Sequence, residues 1–404
     1  MSEWKEYKLG DLVVVNERSI GKNFNFNQIE YIDTSSVTEN RFDTPIYTSI
    51  SDAPSRAKRL ISNGDTIIST VRPILKHYGF IKKAKENQVV STGFAVVTPK
   101  NIESRFLYYY LTQEKITEYL NTIAEGATTT FPAFRADELK KLSISIPNFS
   151  TQKSISEILS SLDEKIELNN KINQELETLA KILFKQWFID FEFPNENREP
   201  YKSSGGEMVD SELGEIPKGW EVKKLKEIGS LKMGLSPKGE SYNFEQIGIP
   251  LLNGAADYNN GLIEPKKYTT DSQRCNEIGD LVFCIRATIG NLVFADEIYC
   301  LGRGVASFKS TIPDNQFIIF QILNNSFEML KSQASGSVIL GLTKDDINDI
   351  KLIFNEAEFL NYSSLVSDFF KLIKSNRYEN KELTSLRDTL LPKLIIGELQ
   401  INDN

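Results

Sequence analysis

From residue 151 to residue 193 the chain contains neither proline nor glycine, the residues that most readily end or bend a helix. Apolar side chains within this run fall at Ile158, Leu162, Ile166, Ile172, Leu176, Leu179 and Leu183, in steps of three, four or, once, six. That spacing puts them along one stripe of an α-helix and leaves Lys, Glu, Asn and Gln on the other faces. Residues 152–190 would make a rod of roughly 55–60 Å at ~1.5 Å per residue. A helix that long with so narrow a stripe needs a partner helix.

A partner stands near the other end of the chain. In residues 356–391, Leu365, Phe369, Leu372, Asn376, Leu383, Leu386 and Leu390 continue a heptad-like spacing. Subtracting 207 aligns Leu383, Leu386 and Leu390 with Leu176, Leu179 and Leu183, and Asn376 with Asn169. A polar Asn within an apolar seam fixes register at some cost in stability. The two segments are therefore expected to pair as a coiled coil.

The segments before these two helices also match. Trp4, Leu9 and Leu12 correspond to Trp220, Leu225 and Ile228 at an offset of 216. Gly64-Asp65 followed by a β-like run and Arg72 resembles Gly279-Asp280 followed by a run and Arg286. Gly93 corresponds to Gly304, the aromatic run at 106–111 to that at 317–322, and Asp137 to Asp345. The offset drifts from 216 to 207 and the order never breaks, which marks a duplication. Short β-like runs separated by Gly, Pro, Asn and Asp turns, with a helix expected over 104–124, give each half a mixed α/β character. The organisation expected is a globular domain over 1–150, a long helix over 151–193, a polar linker over 194–217, a second domain over 218–355 and a second long helix over 356–400.

The chain's 404 residues exceed one ordinary core and suit two domains with connecting helices. The charged N-terminus lacks an apolar signal region and no apolar run reaches membrane-spanning length, so a cytoplasmic protein with no membrane partner is expected. Cys275, Cys284 and Cys300 have no CxxC spacing and read as buried thiols in a reducing compartment, not as disulfides or a zinc site. His77 is the only histidine, which disfavours a Ser-His or Cys-His nucleophile. The chain lacks a GxxxxGK[ST] loop, a Gly-rich cofactor fingerprint, an NPPY-type tetrad and a carboxylate cluster with metal-ligand spacing. No catalytic residue and no metal site are assigned.

The net charge of −8 is unevenly spread. Residues 151–212 carry 7 Lys and Arg against 13 Asp and Glu, whereas residues 1–150 carry 19 against 17. The globular parts therefore remain open to a nucleic-acid face. Arg72 and Arg286, expected at or just beyond strand ends, are the leading candidates for base contacts, since Arg bonds a guanine edge with two hydrogen bonds. Lys76, Arg135, Arg303, the hydroxyls of Thr128, Thr129 and Thr130, and those of Ser335 and Ser337 are further candidates for base or phosphate contact. Each also reads as an ordinary solvated turn.

The linker over 211–229 (SELGEIPKGWEVKKLKEIG) and the tail over 383–399 (LTSLRDTLLPKLIIGEL), together with the tandem plan, resemble the specificity subunit of Type I restriction–modification systems. The resemblance spans the whole chain. It implies two α/β target recognition domains separated by two antiparallel helices forming a coiled coil. It implies further that each domain reads one half of a bipartite, asymmetric site in double-stranded DNA, while the helix pair acts as a ruler. It implies no cofactor on this chain: two modification subunits would bring S-adenosylmethionine, restriction subunits ATP and magnesium, and the helices would dock the modification subunits. The two halves differ in detail, so they are expected to read different half-sequences. A coiled-coil scaffold with two protein-binding domains and no DNA role is the alternative.

Overall fold

The computed structural model describes residues 4–21, 24–126, 132–312, 314–333 and 341–400. The chain divides into two compact units, one built from Met1–Ile166 and Lys381–Asn404, the other from Glu167–Asn380. Two helices of forty residues, α1 (Phe149–Phe188) and α2 (Glu356–Ile395), each contribute to both units.

In the first unit, the strands Val13–Val15, Phe94–Pro99, Thr66–Ser69 and Tyr78–Phe80 form an antiparallel sheet in that spatial order. The strand Thr66–Ser69 is buried along its whole length, as is most of Phe94–Pro99, which explains their continuous apolar runs. A second sheet orders Ile46–Ser49, Gln28–Ile32, Gln88–Ser91 and Ala57–Leu60, with its central pair parallel. Ile67, Phe94 and Val96 of the first sheet and Ile32 and Val90 of the second share one apolar cluster. The helix expected over 104–124 is two helices, Ser104–Leu111 and Glu114–Gly126. The first ends at Thr112, whose hydroxyl turns back to the Tyr108 carbonyl at 2.9 Å.

The second unit repeats this plan. Gly229–Met233, Val305–Ser310, Leu281–Cys284 and Gly290–Phe294 form the antiparallel sheet. The other sheet orders Tyr242–Asn243, Lys267–Thr269, Ile249–Leu252 and Cys300–Leu301, and again holds one parallel pair. The segment expected as a polar linker is folded. Met208–Ser211 and Gly214–Pro217 pair as a hairpin, and Phe193 stacks on Tyr201 with ring centroids 4.6 Å apart. Phe191, Phe193, Ile216 and Trp220 join the main core of the unit, so apolar burial holds this stretch in place.

Among the α1 residues turned away from solvent, one continuous stripe is Ile155, Leu159, Leu162, Ile166, Asn169, Asn173, Leu176, Ala180, Leu183 and Trp187. Their steps alternate four and three without exception, the 3.5-residue repeat of a coiled-coil seam. Adding 207 gives Tyr362, Val366, Phe369, Ile373, Asn376, Asn380, Leu383, Arg387, Leu390 and Leu394 of α2, all of them buried or half-buried. The seam corrects part of the sequence reading. Leu179, Leu365, Leu372 and Leu386 are 42–48 % exposed and lie off it. Apolar spacing of three or four is satisfied by neighbouring stripes as well, and only the facing surface selects between them.

Within the second unit the helices are antiparallel, since the partner number falls as the α1 number rises. The Asn169 side-chain amide donates to Glu379 at 2.7 Å and to Asn380 at 2.9 Å, and the Asn376 amide donates to Asn173 at 2.8 Å. The pairs 169–380 and 173–376 exchange under the offset of 207, so the duplication carries its own polar lock. In the first unit α1 and α2 meet through Arg387, whose guanidinium bonds Asp163 at 2.8 Å; the Tyr109 hydroxyl reaches the same carboxylate at 2.7 Å. Burial opposes the charge on Arg387, but Asp163 and Asp388 outweigh it and hold the guanidinium above its ordinary range.

Candidate nucleic-acid interface

The Gly-Asp turn that precedes each central strand is built identically in both units. Gly64 and Gly279 have φ of 87° and 88°, a left-handed conformation that favours glycine. The Asp65 carboxylate accepts the Ser62 N–H at 2.6 Å, and the Asp280 carboxylate accepts the Glu277 N–H at 2.8 Å. Both aspartates are buried, and burial raises their pKa. These residues serve the turn and start the strand that delivers the candidate arginines.

Beyond the strand of the first unit, Arg72 and Lys76 bracket a short helical turn, Pro73–Leu75, and both adopt left-handed backbone angles, φ 47° and 55°. Such angles are costly for residues with a Cβ and are held only by surrounding structure. The holding is visible. Arg72 N–H donates to Pro132 O at 2.9 Å, Phe134 N–H to Thr70 O at 3.0 Å, and Glu39 N–H to Lys76 O at 2.9 Å. Ile74 and Leu75 project from the turn, 51 % and 47 % exposed. The exposed side chains Arg72 and Arg135 thus stand on two segments tied by backbone bonds.

Lys76 differs from the expectation. Its ammonium lies 2.6 Å from Glu114 and 3.9 Å from Glu39, and hydrogen bonding to Glu114 raises its pKa. This ion pair, which solvent reaches, ties the loop to the helix Glu114–Gly126. Thr128, Thr129 and Thr130 lie outside the described residues, as do Ser335 and Ser337.

In the second unit Ile285 N–H donates to Gly304 O at 2.9 Å, and Leu342 N–H to Ile285 O at 2.8 Å. These bonds repeat Thr70 N–H to Gly93 O (2.8 Å) and Phe134 N–H to Thr70 O in the first unit. They gather the exposed Arg286 and Arg303 at one end of the central strands. They also correct the equivalence expected from sequence. With Asp65 on Asp280 and Thr70 on Ile285, Arg286 falls on Val71 and Arg72 falls on Ala287. Ala287 shares the left-handed angle, at φ 57°. The two arginines occupy adjacent positions of one loop plan, and the one-residue gap in the sequence match hid this.

Among the described residues no group of three His, Cys, Asp or Glu is placed to hold a metal ion, and no helix is long and apolar enough to cross a membrane. The segments 1–178 and 217–358 match the family described as the Type I restriction modification DNA specificity domain. The chain is 30 % identical to the Type I restriction enzyme HindI specificity subunit of Haemophilus influenzae, over 99 % of this chain and all of that protein. It is 29 % identical to the MjaIX specificity subunit of Methanocaldococcus jannaschii, over 85 % of this chain and 80 % of that one. The fold is similar to the crystal structure of a Type I restriction–modification S subunit from M. genitalium, with a TM-score of 0.61, 16 % identity, and coverage of 97 % and 96 %. The role that the family description names is DNA specificity, a matter of recognition and not of catalysis. On the matched segments and the near-complete overlap with a curated relative, the chain belongs to the Type I restriction modification DNA specificity family.

Proposed function

We propose that each globular unit reads one half of a bipartite site in double-stranded DNA, with α1 and α2 setting the gap between the halves. The observation that carries this reading is the duplicated loop plan: a buried strand, a backbone-braced turn and an exposed arginine, built once around Arg72 and once around Arg286. A rigid turn holds a guanidinium at low entropic cost, and arginine matches the paired acceptors of a guanine edge in the major groove. The two loops differ in sequence, which supports two different half-sites. Two modification subunits would dock on the helix pair and bring S-adenosylmethionine, and restriction subunits would bring ATP and magnesium; this chain would contribute recognition alone.

The test begins with the methylome of a host carrying the complete system, which reports both half-sites at once. Fluorescence anisotropy then compares the assembled modification complex on the matched duplex and on duplexes with either half scrambled. Loss of affinity on scrambling either half is expected. Equal binding to all duplexes would leave a protein-binding scaffold as the remaining reading.

A further inference from the structure

Cys275 and Cys300 face each other as antiparallel backbone partners in the second unit. The hydrogen bonds lie on either side of the pair: Leu301 N–H to Arg274 O at 2.7 Å, and Asn276 N–H to Tyr299 O at 3.3 Å. Bonds that flank two opposed residues mark the narrow type of antiparallel pair, with Cα atoms ~4.5 Å apart. That separation falls inside the ~4.4–6.8 Å that a disulfide spans, and directly opposed side chains leave the same face.

The backbone carrying Cys275 is anchored independently of any sulfur contact. Arg274 Nη1 donates to Met233 O at 2.7 Å, Lys232 Nζ to Cys275 O at 2.5 Å, and Asn276 Nδ2 to Glu297 O at 2.9 Å. Both cysteines are free thiols; Cys275 is half-buried and Cys300 fully buried. The third cysteine, Cys284, is buried on a central strand where its strand partners are Gly290 and Val305.

We propose that Cys275 and Cys300 form a reversible cross-strand disulfide, a redox-sensitive modification site closed by a peroxide and opened by a thiol reductant. The Cys275 sulfur, the more accessible, attacks the O–O bond of hydrogen peroxide and becomes a sulfenic acid with release of one water. The Cys300 sulfur then displaces the hydroxyl group as a second water and closes the S–S bond. Two thiols lose two protons and two electrons, and hydrogen peroxide is reduced to two waters. Burial raises the Cys300 pKa and reserves the first step for Cys275.

The test uses the full chain, reduced and then freed of reductant, exposed to hydrogen peroxide, denatured and alkylated. Titratable thiols should fall from three to one, with a peptide joining Cys275 to Cys300 and full recovery on adding dithiothreitol. In Cys300→Ser, Cys275 should instead accumulate a sulfenic acid that dimedone traps. Three thiols surviving peroxide, over-oxidation without a cross-link, or a bridge that engages Cys284 or a second chain would each overturn the proposal.

Discussion

Asp65 and Asp280 sit in the same turn of the two units, each accepting a backbone N–H while out of contact with bulk water. Between the ordinary value of 3.8 and the raised folded value, folded Asp280 keeps a proton that the unfolded chain has released. The native state then binds more protons, and this residue's contribution to stability falls as pH rises through that window. The stability of the wild type relative to Asp280→Asn should therefore shrink as urea midpoints are taken from pH 4 upward. A difference that stays constant or grows would show that burial is not what sets the Asp280 pKa. Arg72 and Arg286 carry a separate expectation. Either Arg→Ala change should cost about 1–3 kcal/mol of binding and relax discrimination in one half-site only. Anisotropy titrations against duplexes mismatched in one half at a time check it, and unchanged binding would reduce that arginine to a solvated loop residue.

At the scale of an element, the seam between α1 and α2 combines apolar steps with a buried amide cluster. In Asn376→Leu the amide that donates to Asn173 is lost and the Asn173 oxygen stays buried without its donor. That should cost about 1–3 kcal/mol. Replacing both, Asn173→Leu with Asn376→Leu, removes the unmet group and should restore or raise the melting temperature while loosening register. A double variant less stable than either single one would contradict this account of the amides. In the first unit, Arg387→Ala removes the guanidinium from Asp163, whose described contacts then include the Tyr109 hydroxyl. A loss of about 1–3 kcal/mol is expected in denaturant unfolding. A loss near zero would class the contact with solvated surface pairs.

For the whole molecule, the central expectation is that helix length governs the distance between half-sites. Pairing of 169 with 380 and 173 with 376 puts the junction after Lys171 level with the junction after Arg377. Seven residues inserted at both points keep the 3.5-residue repeat and lengthen each helix by ~10 Å. That distance is about three base pairs at ~3.4 Å each. The preferred gap should lengthen accordingly, or binding should weaken because the second unit is carried about a third of a turn around the duplex. Both half-site sequences should stay as they were. Full affinity at the original gap, measured on a ladder of duplexes with graded spacers, would sink the ruler.

The sequence by itself determined the duplication, both long helices, the mixed α/β character of each half, and the equivalence of Asn169 and Asn376 in the two helices. All of these follow from local spacing: periods of two and of 3.5, turn residues at fixed offsets, and one segment matched against another. Tertiary structure decided what depends on which distant surface meets which. It moved Leu179, Leu365, Leu372 and Leu386 off the seam, because an apolar residue at a helical step can serve either of two stripes. It paired Lys76 with Glu114, folded residues 194–217 onto an aromatic core, and shifted Arg286 by one place against Arg72. It also set Cys275 opposite Cys300, a pairing fixed by backbone hydrogen bonds between segments that no sequence period links.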